Sequence, residues 1–216
     1  DEQRQENPLT DDMIEAMNLI ARDRPIFALA LISEGDVLWS QAGPIEAVTR
    51  AGIRRADEIF SFRVEPVRHL VVSPGGSSED SYLYTGQRAV ELTSEAVQQG
   101  GEVLWISECA LGVHTGVDQR EVEDFHNVMK QSLRSLTNAL DQPDVKFHTY
   151  KAYRFKRLLE KIRVYGYSSL NGSILESVGI KPVDDPQSLI NKWLADDPDD
   201  KILVVDKANK LAVYGR

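Results

Sequence analysis

Residues 70–88 read LVVSPGGSSEDSYLYTGQR, and the fold class follows from them. Leu70 to Ser73 is a short, mostly apolar run, the pattern of a strand buried on both faces. Pro74-Gly75-Gly76 ends it with turn residues. From Asp80 a helical period begins. At 100° per residue, Leu83, Gly86, Val90, Thr93 and Val97 share one side. Gly86 in that stripe permits close packing on a sheet. Ser81, Tyr84, Thr85 and Arg88 fall opposite, at the i, i+3, i+4, i+7 spacing of one polar ridge. Strand, glycine turn and helix in this order present side chains and free backbone N–H groups at a sheet's end, where α/β proteins bind anions. A phenol, a hydroxyl and a guanidinium in one ridge suit a carboxylate or phosphate, because arginine binds them in a bidentate fork.

Working outward, the same alternation continues. Pro8 and Thr10 open a helix, with Thr10 as N-cap. Ile26 to Ile32 and Asp36 to Ala42 flank Glu34-Gly35 and read as a β-hairpin. Gly43-Pro44 starts a helix to about Glu58, and Ile59 to Val64 is a strand. The helix after the glycine turn is expected to end on Gly100-Gly101 as a left-handed C-cap. Glu102 to Ser107 is the next strand, and Glu108 to Gly116 a glycine-containing loop. One long helix is expected over Gln119 to Leu140, a strand over Val145 to Tyr150 and a basic helix over Lys151 to Ile162. Arg163 to Ser168 is a strand, Pro186 to Leu194 a helix, and Lys201 to Val205 and Leu211 to Tyr214 the last strands. The expected class is α/β, a largely parallel or mixed sheet covered by helices on both faces, with an early hairpin.

The chain has 216 residues, 42% hydrophobic and 27% charged, enough for one substantial core. A net charge of −9 argues against broad nucleic-acid or anionic-membrane binding, which wants a basic surface. No window approaches a membrane span, and no signal-peptide pattern opens the chain. The single cysteine, Cys109, has no internal disulfide partner, so a reducing, cytoplasmic setting is expected. The first residue is Asp1, and Asp1 to Pro8 reads as a linker or the end of an interdomain helix. The expected domain is residues 9–216, with a preceding domain absent from this sequence.

Further residues carry chemistry in outline. His69, His114, His126 and His148 show no paired ligand spacing, so no protein-only metal site is expected. His114 stands out because it follows a strand at the same sheet edge as Gly75. Cys109 reads as a buried structural thiol. Glu108, at a strand's carboxyl end, is placed to hold loop amides or orient a ligand. Lys151, Arg154, Lys156, Arg157, Lys161 and Arg163 form a basic patch in an acidic chain, either a solvated face or one turned to a partner domain or phosphate. Asp196, Asp197, Asp199 and Asp200 read as a solvated turn, lacking the glycine and glutamate of a calcium loop.

Ser73-Pro74-Gly75-Gly76, Asp80, Leu83-Tyr84, Gln87 and a basic residue at 88 resemble the C-terminal domain of the nickel-pincer lactate racemases. That family commonly reads Ser-Pro-Gly-Gly-Tyr-Pro-Lys-Asp-Ile-Asn-Leu-Tyr-Gln-Ala-Gln-Lys here. Asn7-Pro8, Ala42-Gly43, Ala51-Gly52, Gly100-Gly101, Glu108-Cys109 and Gly112 extend the resemblance in order, and His148, Lys151, Ala152 and Tyr153 match loosely. The resemblance implies an active site between two domains. The nickel-pincer nucleotide, its lysine tether, its histidine ligand and the proton-transfer histidines belong to an N-terminal domain. The C-terminal domain then supplies substrate-binding groups and no catalytic residue or metal ligand. Tyr84 takes the tyrosine position, Thr85 the glutamine and Arg88 the lysine. Gly75, Gly76, Asp80, Glu108 and His114 are candidate loop contributors. The implied substrate is a small 2-hydroxy acid, differing from lactate where Thr85 and Arg88 change the pocket.

The expectation is therefore part of a 2-hydroxy acid racemase or epimerase, an isomerase, inactive without its N-terminal catalytic domain. No cofactor is expected on this chain alone, and neither nucleic acid nor membrane as a partner. The rival readings are a binding module for an anionic metabolite and a structural domain without catalysis.

Overall fold

The computed structural model describes residues 7–24, 26–115 and 119–216. Most of the expected linker and the Gly116 end of the glycine loop thus lie outside the described residues. The chain divides into two compact units, one up to Ser61 and one over Phe62–Arg216.

The first unit holds α1 (Pro8–Ala21), β1 (Ala28–Glu34), β2 (Asp36–Gly43) and α2 (Ile45–Phe60). Asn7, not Thr10, caps α1: its side chain accepts from the Leu9 N–H, and Pro8 fills the first helical position, where no amide partner is required. β1 and β2 pair antiparallel about Gly35, as the turn signal implies. They form a separate two-stranded sheet, so the main sheet is not mixed. Gly52 lets α2 lie close to Trp39; an added Cβ would stand 3.6 Å from the indole.

The second unit is built on five parallel strands in the order β7-β6-β5-β4-β8. These are β4 (Val67–Val72), β5 (Val97–Ile106), β6 (Arg163–Tyr167), β7 (Lys181–Pro182) and β8 (Ile202–Val205). β3 (Ser61–Val64) pairs with β9 (Ala212–Gly215) as a separate ribbon. The helices are α3 (Leu83–Thr93), α4 (Gln119–Met129), α5 (Leu133–Leu140), α6 (Thr149–Lys161), α7 (Gly172–Val178) and α8 (Pro186–Asp196).

Strand residues alternate between two cores, as the period of two requires. Leu70, Val72, Val103, Trp105 and Val164 face the larger one, with Leu83, Val90, Phe125, Phe155 and Leu175. Val71 and Leu104 face Trp193 of α8, with Tyr165 and Ile202 at its margin. Both faces of the sheet are thus covered, as its apolar strands require.

Several expectations are corrected. α3 starts at Leu83, so Ser81 precedes the helix and leaves the ridge; its hydroxyl accepts from the Ser78 N–H. Gly100-Gly101 does not cap α3. It lies inside β5, where the register slips between Val67↔Val97 and His69↔Glu102. Gly100 takes φ +78°, and a Cβ on Gly101 would meet the Arg68 carbonyl at 2.7 Å. The single helix expected over residues 119–140 breaks in two, because Ser132 caps a new helix through the Ser135 N–H. Residues 145–150 are not a strand; His148 is instead the N-cap of α6.

Candidate functional site

The loop after β4 is fixed by the turn after β8. Ala208 and Asn209 donate their backbone N–H groups to the Ser73 and Pro74 carbonyls. The Asn209 side-chain amide reaches the Glu79 carbonyl, the Glu79 carboxylate and the Thr85 carbonyl at 3.1, 3.2 and 3.2 Å. Gly75 has φ +128°, and a Cβ there would lie 3.2 Å from Lys207 Cα, so the close approach demands glycine. The crevice between β4 and β8 lies where the winding direction reverses, the usual ligand entrance of open α/β sheets. Here these residues stitch it closed.

The start of α3 is also occupied. The Leu83 and Tyr84 N–H groups donate to the Gly112 and Val113 carbonyls at 3.0 and 2.9 Å. These amides are not free for an anion, contrary to the sequence expectation. The same segment is held further back: Cys109 N–H donates to the Asp80 carbonyl and Leu111 N–H to that of Ser81. Asp80 and Gly76 therefore act as loop supports, with Asp80 N–H donating to the Gly76 carbonyl. Glu108 contributes its carbonyl, which accepts from Ser169 N–H and the Ser168 hydroxyl, while its side chain is exposed. Cys109 is buried with φ +52°, its thiol 3.4 Å from the Ser107 hydroxyl. Burial pushes that thiol up, which opposes a nucleophilic role.

An anion held at this end would have to be held by side chains. Thr85 turns inward, its hydroxyl donating to the Tyr82 carbonyl. Tyr84 is half-buried, and the Lys151 ammonium stands 4.3 Å from its ring centroid. Arg88, one turn later, is exposed. With Glu91 and Leu92 it faces Tyr150, Lys151 and Arg154 of α6 across a cavity of about 330 Å³. Three cations meet one carboxylate there. Arg154 pairs with Glu91 at 3.2 Å. Burial pushes the Glu91 carboxyl up, while Lys151, Arg154 and Arg88 pull it back down. Burial likewise lowers Lys151, opposed by Glu91 and reinforced by Arg88 and Arg154. The sequence singles out Arg88 through its helix ridge, but Lys151 and Arg154 lie on a helix distant in the chain and join it only in the fold.

Beside the cavity is an aromatic cluster. Tyr84, His114, Phe125 and His148 stack mostly edge-to-face, with the Tyr84–His114 centroids 4.3 Å apart and those of His114 and His148 4.8 Å apart. His114 is buried, and its Nδ1 has no hydrogen-bond partner among the described residues. Burial holds both imidazoles below their ordinary value. His114, Glu121 and His148 bring one ligand atom each to within 4.8 Å of one another. Spacing along the sequence does not reveal this grouping, because the fold joins residues far apart in the chain.

No protein-family model matches the chain, and no curated protein matches it in sequence. Solved structures do match. The lactate racemase apoprotein from Thermoanaerobacterium thermosaccharolyticum superposes with a TM-score of 0.74 at 20% identity, over 93% of this chain and 48% of that one. This chain shares the fold of part of that racemase. A protein of Thermotoga maritima, known from its crystal structure, gives a TM-score of 0.68 at 12% identity, over 98% of this chain and 54% of that one. The chain spans about half the length of either structure. Among the described residues, no helix is long and apolar enough to cross a membrane.

Proposed function

We propose that this chain is the C-terminal, substrate-anchoring domain of a lactate-racemase-like 2-hydroxy acid racemase or epimerase. The observation that carries this reading is the convergence of Arg88, Lys151 and Arg154 on one cavity next to Tyr84. The likeness of fold and the residues of the 73–88 segment support it. An arginine fork and a lysine point charge suit a carboxylate, and partial burial of Lys151 strengthens its share. Glu91 neutralises part of the charge when the cavity is empty of anion, so the site does not carry three unopposed cations.

In this reading the preceding domain carries the nickel-pincer nucleotide, which when bound supplies the redox chemistry at the substrate's 2-carbon. The cavity's donors are cations and one carboxylate, a set suited to an anion rather than to that cofactor. Its tether and ligands are assigned to the other domain, and this chain's part is to hold and orient the acid group. The chain by itself is expected to have no racemase activity.

The test is Arg88→Ala in the complete two-domain enzyme. Loss of a charge-assisted hydrogen bond should lower kcat/KM for the 2-hydroxy acid by about 10- to 100-fold. The melting temperature should hold, since Arg88 is exposed. Unchanged kinetics would remove the assignment. Tight binding of 2-hydroxy acids by the isolated chain would favour a binding module instead.

A further inference from the structure

We propose that His114, Glu121 and His148 form a binding site for one divalent transition-metal ion of the zinc class. The three residues come from separate elements: the loop after β5, the first turn of α4 and the N-cap of α6. Their ligand atoms lie within 4.8 Å of one another. Zinc–ligand bonds near 2.0–2.1 Å put tetrahedral neighbours about 3.3 Å apart, so closure takes side-chain rotations of only about 1 Å.

A second observation points to a ligand independently of this grouping. His114 is 7% exposed and His148 6%, yet Nδ1 of His114 has no hydrogen-bond partner among the described residues. Buried imidazole nitrogens are normally satisfied, and a metal ion would complete this one. The surroundings suit the role. Tyr84 and Phe125 wall both imidazoles, which fixes ring orientation and thins the water around them. Glu121 and His148 also line a cavity of about 450 Å³ with Asp124, Lys146 and Phe147, which offers an entry path.

Two imidazoles and one carboxylate select against calcium and magnesium, which take oxygen ligands. Three protein ligands leave a fourth position for water or a bound oxygen. The site stands on these three side chains and does not depend on the racemase reading.

The test titrates the 216-residue chain, stripped with chelator, with Zn²⁺ alone. The expected result is one retained equivalent, a rise in melting temperature with Zn²⁺ concentration, and a four-coordinate visible spectrum with Co²⁺. Glu121→Gln and His148→Ala should each weaken Zn²⁺ at least about 10-fold, the lower limit for loss of even an outer partner. His126→Ala, whose imidazole bonds Ser177 instead, should bind as the wild type does. Where the buried histidine variant fails to fold, the isosteric Glu121→Gln decides. Absence of a saturable 1:1 complex, or full affinity in Glu121→Gln, would overturn the site.

Discussion

The two ends of the five-stranded sheet treat polar groups in opposite ways. At the amino ends of the strands, His69, Glu102 and Arg163 stand in register on β4, β5 and β6. Each is paired. His69 bonds Asp200 and stacks on Trp193, and Glu102 accepts from the Trp193 indole at 2.6 Å and from Arg163 at 3.1 Å. At the carboxyl ends, Gln87 Oε1 and His114 Nδ1 are buried without hydrogen-bond partners among the described residues, and Glu91 shares its charge with three cations. Satisfied polar groups hold a fold; unsatisfied ones are tolerated where something else is to be bound. Under the function proposed above, the difference separates a scaffold edge from a working edge.

Glu102→Leu should break the first edge hardest. It strips the Trp193 N–H of its acceptor and releases Arg163, at a cost of about 2 kcal/mol in urea unfolding. Arg163 is over half exposed and adds little to that figure. Anion and metal affinities at the other edge should not change. If they fall alongside stability, the two edges are not separable.

Gln87→Leu applies a similar change to the working edge. Gln87 is fully buried, and among the described residues its side chain makes one bond, a 3.4 Å contact from Nε2 to Glu91. Removing an orphaned carbonyl should leave stability within about 1 kcal/mol or raise it. A loss as large as that at Glu102 would mean that Gln87 has a structural partner after all.

Glu91→Gln gives the smallest effect and the finest reading. Glu91 raises Lys151, so its removal should let Lys151 titrate lower still, followed by carbon-13 shifts at Cε. Glu91 is raised in the fold, so its stabilising contribution is present below the ordinary carboxylate value and is lost as pH rises through the folded one. Lys151 is lowered, so its contribution is present above the ordinary lysine value and is lost as pH falls through the folded one. In Glu91→Gln the acid-side slope should disappear while the alkaline one moves to lower pH. An unmoved Lys151 would show that the two groups do not share a field.

The parallel sheet was legible because runs such as Leu70 to Val72 and Val103 to Trp105 are apolar without alternation, as strands covered on both faces must be. The packing role of Gly86 was equally legible: an added Cβ would lie 2.9 Å from Trp105 and 2.6 Å from the Ser107 hydroxyl. Gly100-Gly101 misled because a bulge and a helix cap ask for the same residues. The break before Ser132 was hidden because apolar positions keep the helical period across it. His148 was misplaced for a related reason: Val145 to Tyr150 alternates like a strand, yet the segment turns into a helix. One signal was available for the histidine pair. A helix leading into a parallel strand starts at the sheet's carboxyl edge, the same edge at which the loop after β5 ends. The sequence therefore had the means to bring residues 114 and 148 together, although not Glu121.

The Val113 carbonyl that receives the Tyr84 amide belongs to the residue immediately before His114. Phenol and imidazole are therefore mounted on one short strut, tied to the start of α3 by four main-chain bonds from the Leu83, Tyr84, Cys109 and Leu111 amides. A substitution that displaces the backbone of this segment should move both rings together, and so register simultaneously in the optical signal of the tyrosine and the chemical shifts of the histidine.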